Sequence, residues 1–179
     1  MPVSMIKERP VSLRKNTGTA TVKLTWTTST DVDLGCFYET ADGKRGVIQA
    51  LGGAMGSLTA APYVLLENDD RSGGCEVMQI NLGEAEKIKR LVPFAYIYQG
   101  GNWQQVGDAR VTVTHPIEGE FFFDLTKSEG RSCALMSFTA DGKGGFQLTR
   151  LEHFSNGFQD ALDREIGFPG LTWTPGTKS

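Results

Sequence analysis

The sequence predicts a mainly β protein, an antiparallel β-sandwich with a short connector helix and a C-terminal helix. Two observations carry this. Apolar and polar residues alternate at a period of two along many short runs, and glycine-containing turn signals separate those runs. Alternation of that kind builds strands with one buried face, and many such strands with frequent turns favour a sandwich or barrel.

The clearest run sets Ala20, Val22, Leu24 and Trp26 against Thr19, Thr21, Lys23 and Thr25. Similar runs follow at 32–38, 46–51, 63–66, 77–82, 94–98, 111–114, 121–125, 133–138 and 146–151. Asp42-Gly43, Gly52-Gly53, Gly73-Gly74, Gly100-Gly101 and Asp141-Gly142 supply the turns between them. In the connector helix, Glu84 and Glu86 precede Lys87, Lys89 and Arg90 in the order the helix dipole favours, and Ala85, Ile88 and Leu91 share one face. For the C-terminal helix, Phe158, Ala161, Leu162 and Ile166 recur at helical spacing, Ser155 or Asn156 is the candidate N-cap, and Gly167 with Pro169 marks the stop.

At 179 residues the chain fits one domain, 1–179, with 1–10 and 172–179 expected at the periphery and Trp173 as a local anchor. The 39% hydrophobic and 22% charged fractions are those of an ordinary globular protein. A net charge of −3 argues against a nucleic-acid binder, and the basic run Lys87, Lys89, Arg90 reads as a solvated face. No stretch approaches the ~20 apolar residues of a membrane span, and Met1 to Pro10 lack the apolar core of a secretory signal. Three dispersed cysteines, Cys36, Cys75 and Cys133, make no disulfide framework or CxxC site. A reducing, cytoplasmic setting is the expectation.

With only His115 and His153, a multi-histidine metal site is excluded, and both histidines read as structural. The stretch Gly52-Gly53-Ala54-Met55-Gly56-Ser57 lacks the Gly-Lys-Ser/Thr ending of a phosphate-binding loop, and Cys36 and Cys75 have no base nearby in sequence. The acids say more. Asp31 and Asp33 project from one face of an extended segment, while Glu67-Asn68-Asp69-Asp70 forms a second group with Glu76 shortly after. Such hard oxygen donors suit calcium, which accepts ~6–8 ligands in irregular geometry. Asx, Ser and Gly residues also form turns for local reasons, so these residues by themselves leave both readings open. The run 68–76 is too short for an EF-hand.

Further blocks carry a resemblance. Lys44 to Gly52, Gly56-Ser57-Leu58, Pro62 to Leu66 and Asp69 to Gly73, followed by Ile88-Lys89-Arg90, Phe94 to Tyr98, Asn102-Trp103, Val111-Thr112-Val113, Cys133-Ala134-Leu135 and Ala161 to Gly167, occur in an order that resembles the TerD-like tellurium-resistance family, on its TerA-type side. Val11 to Lys15 and Leu24 to Leu34, with Asp31-Val32-Asp33-Leu34, resemble the opening of the general TerD domain. The resemblance spans nearly the whole chain. It implies a β-sandwich with calcium held by acidic loops near one end, in bacterial stress operons linked to tellurite resistance, without established catalysis. The metal residues it carries over are Asp31, Asp33, Asp69, Asp70 and Glu76. Such domains often carry a further acid where this chain has Gly35, and paired aspartates where it has Gly74 and Cys75, so a single weak calcium site or a vestigial one is implied.

Three functions follow. The leading one is a calcium-associated, non-enzymatic module whose ion orders acidic loops into a surface for other proteins of the stress-response system, with homo-oligomers allowed. The second is a metal-free scaffold that docks or oligomerises through exposed aromatics such as Tyr98 or Trp103. The third, a hydrolase built from Cys36 or Cys75 with His115 or His153, has the weakest motif support.

Overall fold

The computed structural model describes residues 2–28, 30–49, 54–67, 74–99, 102–126, 128, 130–157 and 159–167. Asp69, Asp70, Phe158, Trp173 and the segment 172–179 lie outside the described residues. Alternation becomes two stacked sheets. The seven-stranded sheet contains β1 (Val3–Ser4), β3 (Thr19–Thr25), β6 (Gly56–Ser57), β7 (Val64–Leu66), β8 (Cys75–Asn81), β10 (Arg110–His115) and β11 (Gly119–Asp124), in the order β1-β11-β10-β3-β8-β7-β6. The six-stranded sheet contains β2 (Val11–Leu13), β4 (Asp31–Thr40), β5 (Arg45–Ile48), β9 (Ile88–Gln99), β12 (Ser132–Ala140) and β13 (Phe146–Ser155), in the order β2-β13-β12-β9-β4-β5. The strand pairs are antiparallel except β1 with β11. The expected sandwich is what forms.

Ala20, Val22 and Leu24 of β3, with Met78 and Ile80 of β8, meet Val32, Leu34 and Cys36 of β4 in the core between the sheets. A second cluster lies on the other face of the six-stranded sheet, where Phe37, Val92, Phe94, Tyr96 and Ala134 receive Leu162 from the helix α1 (Gln159–Glu165). Fully burying a leucine contributes roughly 1.5–3 kcal/mol, so Leu162 anchors this helix of only seven residues. Gly167 ends it at φ +87°. Ser155 is the last residue of β13, not an N-cap, and its hydroxyl donates to Glu165 Oε2 at 2.6 Å.

The connector is shorter than its sequence pattern implies. Leu82–Lys87 form a 3-10 helix capped by Asn81, whose side chain accepts from the Gly83 amide, and Ile88 already begins β9. The register of β4 against β9 shifts between Glu39 and Thr40, so Lys89 is the extra residue of a bulge. That bulge brings Ile88 and Leu91 onto the same inward face at a spacing of three, which imitates a helix. Residues 3–5, expected at the periphery, are tied down: β1 pairs with β11, the Met5 amide donates to Phe122 O at 2.8 Å, and the Met5 side chain is buried.

Candidate functional site at the acidic end

β3 ends where β8 begins, because Thr25 pairs with Cys75 and the Trp26 amide donates to Gly74 O at 3.1 Å. The Trp26 indole N–H donates to Thr30 O at 2.9 Å, and β4 begins at Asp31. Asp31, Asp33 and Glu76 therefore share one end of the sandwich.

They do not share one face. Glu76 alternates with Met78 and Ile80 and lies toward the inter-sheet core, only 1% exposed. Asp33 alternates with Val32 and Leu34, which are inward, so it stands on the outer face in register with Tyr96, and it is fully buried. Asp31 is half-buried at the strand start, where the β4–β9 register shifts between Asp31 and Val32. Among the described residues no group of three His, Cys, Asp or Glu gathers as a metal site. Asp33 and Glu76 are thus two carboxylates withdrawn from water at this end, each with contacts inside the protein.

The two glycines at which the resemblance leads one to look for acids have physical reasons to be glycine. A Cβ on Gly35 would lie 2.5 Å from Phe94 Cζ and 2.7 Å from Ile48 O, because the Phe94 ring, stacked on Phe37 at 4.3 Å, fills that space. Gly74 has open space but a φ of +112°, where an L side chain is strained.

Comparison with known proteins places this geometry. The chain is 32% identical over 201 aligned positions, covering 98% of its length, to the tellurium resistance protein TerA of Alcaligenes sp.. The chain is TerD/TerA-like. It spans 58% of that relative's length, and no family model matches it. The crystal structure of the unknown function protein SAV2460 has the same fold at a TM-score of 0.66, covering 87% of this chain and 100% of that one at 16% identity.

In this TerD/TerA-like chain the histidines and the thiols of Cys36 and Cys133 are committed elsewhere. His115, buried at the β10–β11 turn, accepts at Nδ1 from the Ile117 and Glu118 amides, both at 3.1 Å, so the proton resides on Nε2, which donates to Arg14 O at 3.2 Å. Burial pushes its pKa below the ordinary value. At a depressed folded pKa the unfolded chain binds the extra proton first, so stability is lost as pH falls from about 6.5 toward the folded value. His115→Asn, which keeps an acceptor for the turn, is expected to flatten stability against pH across that window in urea titrations at stepped pH. An unchanged slope would remove His115 from the account. Cys36 and Cys133 donate to the Phe37 and Ala134 carbonyls, and burial pushes both thiols up, which keeps them protonated and poorly nucleophilic. Trp103 is buried, edge-on to Phe154 at 6.1 Å, and Tyr98 is half-buried against the outer cluster, so the aromatic docking surface expected of them is corrected: packing claims both.

Sequence reasoning missed two polar arrangements. Arg150 pairs with Glu152 Oε1 at 2.5 Å, donates to Met5 O at 2.8 Å and lies 4.5 Å over the Phe123 ring, while Glu152 Oε2 accepts from the Thr126 amide at 2.7 Å. His153 Nε2 bonds Glu165 Oε1 at 2.7 Å, and this bond together with the stronger one from Ser155 holds the Glu165 carboxyl below the usual range. The first depends on contacts from Met5, Phe123 and Thr126, far off in sequence, and the second on a strand-to-helix return.

Proposed function

We propose that this chain is a calcium-associated, non-enzymatic binding module of a cytoplasmic tellurite-resistance and stress-response system, in which the ion orders acidic loops into a surface for partner proteins. The observation that supports it most is the burial of Asp33 and Glu76 at one end of the sandwich, with Asp69 and Asp70 shortly before Glu76 in sequence. Buried carboxylates together with loop oxygens are the donor set calcium takes. The TerA relative supports the tellurium-resistance setting, and the committed histidines with the buried, raised thiols of Cys36 and Cys133 support a binding role over catalysis.

Calorimetric titration of calcium into chelator-treated protein, with magnesium as control, tests the reading. Saturable calcium heat is expected, lost in Asp33→Asn and in Asp69→Asn, with a stabilisation of about 2.7 kcal/mol at a calcium concentration a hundred times Kd. Neither heat nor a shift in melting temperature would replace it with the metal-free scaffold, which the lack of room for an acid at Gly35 favours.

A further inference from the structure

β13 carries an extra residue against β12: His153 pairs with Ala134 and Arg150 with Met136, leaving Leu151 and Glu152 opposite Leu135 alone. Glu152 absorbs the bulge at φ +47°. A bulge re-aims side chains, and here it brings Leu151 and Ile166 of the outer cluster and Phe154 of the inter-sheet core to the floor of one cleft of about 470 Å³. The other wall comes from the N-terminal segment, where Glu8 adopts φ +65° and its amide donates to Arg150 O at 3.0 Å. Among the described residues three non-glycine positions have positive φ, Glu8, Tyr63 and Glu152, and two of them border this cleft. Backbone strain persists only where its surroundings over-determine it, and it concentrates at ligand sites.

The rim carries charges of both signs. Lys7 and Arg90 are the cations, with Arg90 half-buried and its Nη2 donating to Ile166 O at 3.0 Å. Three glutamates line the cleft: Glu152 is spent on Arg150 and the Thr126 amide, which leaves Glu8 and Glu165, the latter oriented by Ser155 and His153. Lys7 and Glu8 enter no ion pair among the described residues. A polyanion in this cleft would meet two carboxylates, and a polycation would meet an ammonium and a guanidinium. A molecule with one charge of each sign and an apolar body satisfies the whole lining, and the volume falls in the small-ligand range.

We propose that this cleft binds a small zwitterion with an apolar side chain, of the free amino acid class, its carboxylate toward Lys7 and Arg90 and its ammonium toward Glu8 and Glu165. Nothing in this depends on calcium.

Leucine, leucinamide and N-acetylleucine titrated into the full chain, followed by amide NMR, separate the charge contacts. Leucine is expected to give saturable shifts at residues 7–8, 151–154 and 165–166, and each analogue to bind about ten-fold more weakly for losing one charge-assisted contact. Lys7→Gln weakens leucine and N-acetylleucine but leaves leucinamide unchanged, whereas Glu8→Gln weakens leucine and leucinamide but leaves N-acetylleucine unchanged. Both side chains are exposed, so the fold is retained. Absence of saturable shifts, equal binding of the three probes, or a variant that weakens all three alike overturns the proposal.

Discussion

Glu152→Ala is expected to cost about 3 kcal/mol and to lower the thermal midpoint by roughly 6–12 °C, read by calorimetry. The glutamate side chain is 4% exposed and its arginine partner 19%, so truncation leaves a largely desolvated guanidinium whose remaining bonds go to Met5 O and the Phe123 ring. It also leaves the Thr126 amide without its acceptor. The double variant Arg150→Met with Glu152→Leu is expected to recover most of the loss, because replacing both members of a buried pair by apolar residues is often neutral. A single variant as stable as the parent would mean that the pair is solvated and holds nothing.

Gly35→Asp is expected to be at least as damaging, above about 3 kcal/mol, although it would add the acid that the resemblance leads one to look for. The new Cβ would meet Phe94 at 2.5 Å and the Ile48 carbonyl at 2.7 Å, and the carbonyl belongs to a paired strand that cannot give way cheaply. A carboxylate would add repulsion against that oxygen. Gly35→Ala isolates the steric part at about 1–3 kcal/mol. Urea midpoints measure both, and a stable Gly35→Asp protein with gained calcium affinity would show that the outer face has room.

The strands were legible wherever one face is buried and the ladder is regular, as in β3, where each apolar position of the alternation is a core residue. Legibility failed where a bulge changes the period. Ala85, Ile88 and Leu91 look helical because one inserted residue carries a strand through a spacing of three. The cleft beside the Leu151–Glu152 bulge was not legible because its lining comes from segments far apart in the chain, 7–8, 90, 151–154 and 165–166. In the acidic set, the face each strand presents depends on sheet pairing, which spacing does not reveal and which places Asp33 and Glu76 on opposite sides of the six-stranded sheet. The reason for glycine at position 35 lies in a phenylalanine on another strand and could not be read locally.

The placement of the first two strands bears on how the chain acquires its structure. β1 closes one sheet against β11 and β2 closes the other against β13, so the earliest segments wait for partners from the last third of the sequence. Loop closure over that distance costs entropy before any contact returns it, and topologies of this kind fold slowly. Until then the outer edges of β11 and β13 are open templates for another chain's strand, the condition under which β proteins mispair. The N-terminal segment thus acts as a late cover for part of each edge, at Phe121 and Phe122 of β11 and at Phe146, Gln147 and Leu148 of β13.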